Sequence, residues 1–346
     1  MVIFSPNPDQ IKNILILGHA NIGDVCGDLS VIKPLRAHFT NAKIYYLTSP
    51  KTKSLVEGYK GIEEVIVIDT KNAQKTWGAR YMFNKGLWKY KFDLIIVLTR
   101  TLMHNFLYTR YVWNVRKKYK GDFISKKVHP IDIYKSFFNS KNVLISNIEY
   151  DFDLSQEDQF AGDFLQKHGV GQGEHLVGIL PMAAWPIKNW PVEYWNALSQ
   201  KLWDGYRIKT VALGKSGRGK YSQHVMKNIS PEIVSAIDQT SLKQALALIK
   251  RCDVFIGPDS SLLHWASCLG IETIGLYGPT PVDYVYPYFH RDNIILAQKQ
   301  EGMACQGDAT QCPCALTMSP SPCMQSLTVE KVSEAVVSCI KNVQKI

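Results

Sequence analysis

The sequence of 346 residues contains no apolar run of the length that a membrane-spanning helix needs. Its first residues lack the basic and apolar regions of a signal peptide, so we expect a cytoplasmic protein. No G-x-G-x-x-G sequence follows the first apolar strand, which disfavours a dinucleotide-binding enzyme. The eight cysteines show no paired C-x2–4-C spacing, which disfavours a zinc module.

Acidic residues are scarce in one region of a chain whose formal net charge is +10. Residues 71–150 contain 16 Lys and Arg against 4 Asp and Glu, with aromatic residues interleaved. Such a stretch suits an anionic glycolipid at a membrane surface, by charge and by interfacial aromatic rings. It also suits nucleic acid, and its plainest interpretation is a solvated basic face whose aromatic rings lie in the core. The candidate ligands for anionic groups are Arg110, Arg116, Lys117 and Lys118.

Short apolar runs alternate with helical or loop segments, which predicts parallel, doubly wound α/β sheets. These runs lie at 12–18, 43–48, 65–68 and 94–98, and again at 176–180 and 208–213. The length allows two domains of ordinary size, and a glycine-rich break follows a predicted helix that ends at residue 168. We therefore predict an N-terminal domain at 1–168, a C-terminal domain at 174–325 and a terminal helix at 326–346.

The stretch 252–280 has the pattern of a strand, a loop, a helix, a second strand and a turn. Two parallel strands then bring their carboxyl ends to one edge, where ligands bind in open α/β sheets. The N-terminus of the intervening helix favours a phosphate. The polar and turn residues expected at this edge are Asp259, Ser260, Ser261, His264, Gly278, Pro279 and Thr280.

These residues resemble glycosyltransferase family 9, the ADP-heptose:lipopolysaccharide heptosyltransferases. The family carries an Asp-Ser/Thr-Gly-x-x-His block followed by a Gly-Pro-Thr turn, and here the block is DSSLLH at 259–264. Ser261 stands where the family usually has Gly, a departure that bears on donor identity more than on fold. The resemblance implies a GT-B fold, in which two Rossmann-like domains with parallel sheets face a central cleft. It also implies that these seven residues bind the donor.

Two further positions match the family. Gly23-Asp24 follows the first strand, and the resemblance implies that Asp24 is the general base that takes the proton of the acceptor hydroxyl, with Gly23 in the acceptor site. The competing interpretation is that Asp24 only caps a helix. Lys188 precedes Trp190-Pro191 in the second domain, where the resemblance implies neutralisation of a diphosphate leaving group. An exposed loop lysine is the ordinary alternative.

Two other patterns are weaker. Residues 214–221 nearly spell a P-loop, but Tyr221 replaces the magnesium-binding hydroxyl, so we interpret the segment as a basic glycine-rich turn. Cys305, Cys312, Cys314 and Cys323 have a C-x6-C-x-C-x8-C spacing, for which structural thiols are the first interpretation and a metal or redox clip the second.

By the resemblance, the reaction is inverting transfer of heptose from ADP-heptose to a lipopolysaccharide inner-core acceptor, an anionic glycolipid, with no metal and no cofactor. The protein would rest peripherally on the cytoplasmic face of the inner membrane or remain free of it. A second hypothesis keeps the fold and uses another nucleotide sugar. A third, of a different class, is a basic nucleic-acid-binding protein, which leaves Asp24, Asp259 and His264 unexplained.

Overall fold

The computed structural model describes residues 6–118, 127–298 and 320–343. The chain forms two compact α/β units, Met1–Asp153 and Leu154–Ile346. The predicted parallel α/β architecture is confirmed in both units, because every strand pairing in each sheet is parallel.

The sheet of the first unit has five strands in the order β3-β2-β1-β4-β5. This is the strand order of the first five strands of a Rossmann fold. The central strands are apolar and fully buried, as expected for a parallel sheet covered on both faces. The strands are β1 (Asn13–Leu17), β2 (Lys43–Thr48), β3 (Glu64–Val67), β4 (Leu94–Val97) and β5 (Tyr111–Asn114). The helices are α1 (Ile22–Leu29), α2 (Ile32–His38), α3 (Lys53–Val56), α4 (Trp77–Leu87), α5 (Val115–Lys118) and α6 (Pro130–Asn139).

The sheet of the second unit has six strands in the order β11-β10-β9-β6-β7-β8, which is the full Rossmann order. Its strands are β6 (Leu176–Ile179), β7 (Lys209–Ala212), β8 (Val234–Ser235), β9 (Val254–Pro258), β10 (Glu272–Tyr277) and β11 (Ile294–Leu296). Its helices are α7 (Ser155–Lys167), α8 (Val192–Tyr206), α9 (Lys220–Asn228), α10 (Leu242–Lys250), α11 (Ser261–Cys268), α12 (Pro322–Gln325) and α13 (Val329–Val343).

The structure divides the chain before helix α7, whereas the sequence pattern placed the boundary after it. Helix α7 packs on α10 of the second unit. Arg251 after α10 also donates to Asp158 of α7, at 2.7 Å. The terminal helix α13 likewise packs on β9, β10 and α8, so it completes the core of the second unit.

The segment from Ile22 to His38 forms two helices, α1 and α2, and not one continuous helix. Pro34 has no N–H and therefore cannot donate to the carbonyl of Ser30, which interrupts the ladder of hydrogen bonds at that point. The hydroxyl of Ser30 donates to the carbonyl of Gly27, at 2.6 Å, and closes the end of α1. This short α1 carries Asp24 in its first turn and Asp28 in its last.

Candidate functional site

Asp259 lies directly after β9 and pairs with the side chains of Lys188 and His264. Lys188 Nζ donates to Asp259 Oδ2 at 2.5 Å, and His264 Nε2 lies 3.0 Å from Oδ1. The Asp259 side chain is only 9% exposed. Burial acts to raise the pKa of Asp259, but the hydrogen bond and charge of His264 and the charge of Lys188 outweigh it and hold the pKa well below its usual range. The carboxylate is therefore ionised at neutral pH and positions both partners.

Local structure explains how His264 reaches Asp259 although five residues separate them. Ser260 is the N-cap of α11, with extended backbone at φ −158°, so the chain turns sharply between β9 and the helix. Asp259 thus lies before the helix, and His264 reaches back to it from the first turn and a half. Ser261 begins the helix, so the free N–H groups of its first turn lie beside Asp259.

The loop that carries Lys188 is held from two sides. The buried side chain of Asn189 accepts a hydrogen bond from the N–H of Ala183 at 2.6 Å. The hydroxyl of Ser321, near the C-terminus, donates to the carbonyl of Ile187 at 2.7 Å. The Nζ of Lys188 also lies 5.0 Å from the centre of the Trp185 ring. Lys188 is therefore a positioned residue that is 16% exposed, not an ordinary loop lysine.

The turn Gly278-Pro279-Thr280 at the end of β10 is buried at the same sheet edge. A Cβ atom added at Gly278 would lie 2.6 Å from Met324 Sδ and 2.9 Å from Cys323 Sγ, so the close approach of this pair requires glycine. Cys323 is a buried thiol in this packing. Cys305, Cys312 and Cys314 lie outside the described residues.

Two hydroxyl groups at the end of β10 and in the turn that follows are buried without a partner in the described part of the chain, Tyr277 Oη and Thr280 Oγ1. Burial and the charge of Asp259 raise the pKa of Tyr277 well above its ordinary value. Buried polar atoms almost always have hydrogen-bond partners, so these two unpaired hydroxyls, on residues at the sheet edge that carries Asp259, are candidate contacts for a ligand. Sequence reasoning missed Tyr277, because it treated the residue only as the end of an apolar strand.

The glycine-rich turn at 214–221 does not form a triphosphate site. The Tyr221 hydroxyl donates to the carbonyl of Trp190 at 2.5 Å inside the core. The backbone N–H of Ser216 donates to Asp238 Oδ1 at 3.0 Å, so a carboxylate occupies the turn where a P-loop would hold phosphate. The structure thus agrees with a simple basic turn.

In the first unit, Asp24 lies exposed in the first turn of α1. The N-cap of this helix is Asn21, not Asp24, so the helix-cap interpretation of Asp24 is wrong. The Asn21 amide donates to Asp24 Oδ2 at 3.0 Å and holds the carboxylate at the helix N-terminus. Gly23 precedes it within the same turn. Asp24 therefore remains accessible to a substrate hydroxyl.

A buried polar cluster lies one helical turn beyond Asp24, and the sequence did not reveal it. Asp28 is fully buried and accepts four hydrogen bonds. Its Oδ2 accepts from the His19 N–H at 2.7 Å and from the Tyr46 hydroxyl at 2.5 Å. Its Oδ1 accepts from the Tyr134 hydroxyl at 3.0 Å and lies 2.9 Å from His19 Nδ1.

The glycine that follows β1 permits this cluster. A Cβ atom at Gly18 would lie 2.1 Å from the phenol ring of Tyr46, a distance that no packing adjustment tolerates. Glycine at this position lets the Tyr46 ring cross the end of β1 and reach Asp28. Glycine at position 18 is therefore required by packing, because it makes room for the ring that donates to Asp28.

The basic residues expected to bind an acceptor do not all lie together. Arg116 and Lys117 belong to α5, which begins at the carboxyl end of β5, the same sheet edge as Asp24. Arg110 lies at the amino end of β5, where the next residue, Tyr111, donates to the carbonyl of Asp93 before β4. Opposite ends of a strand do not share a site, so the structure separates Arg110 from the others. Lys118 ends α5, and its side chain lies outside the described residues.

Within the described residues, no group of three or more His, Cys, Asp or Glu side chains is arranged to hold a metal ion. Asp151 and Asp153 have an aspartate-x-aspartate spacing. Asp151 pairs instead with Lys60 at 3.2 Å on the surface.

The chain is similar to proteins of one kind along most of its length. The model of glycosyltransferase family 9 (heptosyltransferase) matches residues 80–315. Lipooligosaccharide heptosyltransferase 2 of Haemophilus influenzae is 24% identical over 310 residues, which cover 82% of this chain and 88% of that protein.

Two solved structures share the fold. The glycosyl transferase family 9 structure from Veillonella parvula has a TM-score of 0.81 at 19% identity and covers 96% of this chain and 98% of its own. The structure of E. coli ADP-heptose lps heptosyltransferase II has a TM-score of 0.71 at 17% identity. The match covers 96% of this chain and 99% of that protein.

Proposed function

The chain belongs to glycosyltransferase family 9 and is a glycosyl-transferring enzyme of GT-B fold, and we propose that it transfers heptose from ADP-heptose to an inner-core lipopolysaccharide acceptor. The similarity to heptosyltransferases over most of both chains supports the choice of sugar. The structural observation that carries the proposal is the buried Asp259, which positions Lys188 and His264 at a helix N-terminus.

Asp24 would serve as the general base on the acceptor side. A sugar hydroxyl is a poor nucleophile until a carboxylate takes its proton during attack. The hydroxyl oxygen would form a bond to the anomeric carbon while the bond from that carbon to the diphosphate oxygen breaks. Attack from the side opposite the leaving group inverts the anomeric centre. Asp24 fits this role because it is exposed at the end of a sheet and is held by Asn21.

The second unit would bind the donor and stabilise the departing ADP. One N–H of the Lys188 ammonium group is donated to Asp259, which leaves two for diphosphate oxygens. The first-turn N–H groups of α11 at Ser260 and Ser261 would add partial positive charge. The turn Gly278-Pro279-Thr280 would line the same pocket, with the unpaired Thr280 hydroxyl available to the donor. His264 would fix Asp259.

Donor binding measured by calorimetry tests this function directly. We expect ADP-heptose to bind more tightly than ADP-glucose, UDP-glucose and GDP-mannose, because the relatives that cover this chain are heptosyltransferases. A clear preference for another nucleotide sugar would retain the transfer chemistry and refute heptose as the sugar. Binding of none of the four, together with binding of an oligonucleotide, would favour the nucleic-acid hypothesis.

An exposed surface of the first unit supports peripheral contact with a membrane. Trp77 is 75% exposed and Tyr108 is 76% exposed, far more than is usual for large aromatic side chains. Trp88, which follows helix α4, links that helix to the segment 106–108. Its ring N–H donates to the Phe106 carbonyl at 3.2 Å, and its ring contacts that of Tyr108. We call this surface the aromatic patch; its exposed members are Trp77, Tyr81, Met82, Leu102, Phe106 and Tyr108.

The same stretch of chain carries exposed lysines at positions 75, 85, 89 and 91. Other aromatic residues of the basic stretch, such as Phe92 and Trp113, are buried in the core, so the stretch is partly core and partly surface. Interfacial aromatic rings together with lysines fit anionic headgroups. Among the described residues, no helix is long and apolar enough to span a bilayer.

Vesicle co-sedimentation tests the aromatic patch. The variant Trp77→Ser/Tyr108→Ser is expected to bind vesicles containing anionic phospholipid about tenfold more weakly than the wild type, because two partly inserted rings are lost. Tyr206→Ser, which removes an exposed ring from the second unit, is the matched control and should bind normally. Equal binding of all three proteins would refute the patch as the membrane contact.

A further inference from the structure

The buried Asp28 has no role in the chemistry described above, although burying a carboxylate is costly. An ionised carboxylate is tolerated inside a protein only when charge and hydrogen bonds compensate for lost water. Asp28 is 0% exposed, and three of its four hydrogen bonds come from neutral groups. The fourth partner, the His19 ring, is the one that can supply a positive charge.

The charges of the two groups support each other. Burial acts to raise the pKa of Asp28, but the charge and hydrogen bond of His19 and the hydrogen bond from Tyr46 outweigh it and lower the pKa. Burial likewise acts to lower the pKa of His19, but the charge of Asp28 outweighs it and the pKa is raised. The ionised Asp28 carboxylate and the protonated form of the His19 ring therefore stabilise each other.

His19 is also held rigidly and is only partly committed. Its backbone N–H donates to Asp28, and its carbonyl accepts from the Thr48 hydroxyl at 2.8 Å. Ring nitrogen Nδ1 pairs with Asp28, whereas Nε2 has no hydrogen-bond partner among the residues that the structure describes. The side chain is 18% exposed, so the ring reaches solvent. When the ring is protonated, it therefore has one N–H donor, at Nε2, that Asp28 does not use.

This donor lies at the sheet edge that carries Asp24. His19 follows β1, Asp24 lies in the first turn of α1, and α5 with Arg116 begins where β5 ends. The charged groups that act on the His19 ring are Asp24 and Asp28 of α1 and Arg116 of α5. Tyr46 of β2 and Tyr134 of α6 are the other titratable groups of the cluster, and both donate to Asp28.

We propose that His19 binds an oxyanion of the acceptor, a sugar-acid carboxylate or a phosphate, beside Asp24, with buried Asp28 holding its ring in place. The inference rests on the proposed transfer to an anionic glycolipid and adds a residue to the acceptor site. A charged N–H bonded to a carboxylate or phosphate is stronger than a neutral hydrogen bond and directional, so it would set the acceptor hydroxyl against Asp24.

The variant His19→Gln tests this role, because glutamine can still donate to Asp28 but carries no charge. At pH 7, the KM of this variant for the inner-core acceptor is expected to rise by about 10- to 100-fold, because a charged hydrogen bond to the acceptor is lost. The change in kcat should be much smaller. In the wild type, the imidazolium is present below the raised pKa of His19 and is lost as pH increases through it, so KM should increase with pH over that range. His19→Gln should lose that pH dependence.

Direct binding separates the two sources of the oxyanion. Calorimetry compares the binding of three ligands to the wild type: intact inner-core oligosaccharide, its carboxyl-reduced form and its dephosphorylated form. The form that lacks the group contacted by His19 should bind more weakly than the intact oligosaccharide. His19→Gln should not distinguish that form from the intact oligosaccharide. His38→Gln, on α2 of the same unit, is the matched control and should behave as the wild type. Thermal unfolding confirms that each variant is folded.

A measurement on the unaltered protein gives a second test. In ¹⁵N-histidine NMR, intact oligosaccharide should raise the pKa of His19 further, since an anion favours the imidazolium. An unchanged His19 titration, or equal KM values for the wild type and His19→Gln, would overturn the proposal. Failure of the wild type to use ADP-heptose would instead refute the proposed function, and His19-dependent binding of the oligosaccharide would then stand by itself.

Discussion

Asp24→Asn is expected to lower kcat for sugar transfer by about 100- to 10,000-fold, the range that a positioned general base contributes. The amide cannot take the proton of the attacking hydroxyl, although it has the same shape as the carboxylate. Asp24 is exposed and Asn21 is its hydrogen-bond donor, so the fold does not depend on its charge. Donor affinity, measured by calorimetry, should be unchanged.

The control for Asp24 is Asp9→Asn. Asp9 is also an exposed carboxylate, in the 3-10 helix Pro8–Gln10, but this helix precedes β1 and so lies at the opposite sheet edge. The Asp9→Asn variant should retain the wild-type kcat, because the loss of one surface charge affects helix stability only slightly and Asp9 lies away from Asp24. Equal kcat values for Asp24→Asn and the wild type would remove Asp24 from the mechanism.

Asp259→Asn is expected to lower the free energy of unfolding by about 3–5 kcal/mol, because it removes the charge of a carboxylate that is only 9% exposed and pairs with Lys188 and His264. Lys188 and His264 are 16% and 19% exposed, so water compensates only in part. The affinity for ADP-heptose should also fall, since Lys188 loses the group that positions it. Urea unfolding and calorimetry measure the two effects separately.

The ion pair between Asp158 and Arg251 provides the matched comparison. Both side chains are exposed, at 51% and 40%, so Asp158→Asn should cost less than about 1 kcal/mol. In the wild type, the pKa of Asp259 is lowered on folding, so its ionised carboxylate stabilises the folded state. This contribution to the free energy of unfolding is complete above the ordinary pKa of aspartate and is lost as the pH falls from there through the lowered pKa. Equal losses of stability in the two variants would contradict a buried, charge-bearing Asp259.

Most strands of the two sheets could be predicted from the sequence. The strands that escaped prediction have one property in common. The central strands β1, β4, β6 and β9 are continuous apolar runs because both of their faces are buried. Three short strands escaped prediction, and each lies at an edge of its sheet: β5, β8 and β11. An edge strand is less fully buried, so its sequence carries a weak apolar signal.

Most residues of the proposed donor site were predictable because they are close together in the chain. Asp259 and His264 belong to one strand-to-helix connection, and local backbone geometry brings them together. Lys188 lies 71 residues away, and only the pairing of β6 with β9 places its loop beside Asp259. The family resemblance identified Lys188, but the contact with Asp259 could not be read from spacing.

The acceptor side shows what depended on tertiary structure. Arg110 and Arg116 are equally basic in the sequence, and the direction of β5 separates them. Tyr46 and Tyr134 are 18 and 106 residues from Asp28, and the order of the strands brings both to it. Apolar burial and local turns are encoded over a few residues, so the sequence alone determined the two sheets and the Asp-to-His block. A buried charge needs partners from several distant segments, so the Asp28 cluster was decided only when the whole unit packed.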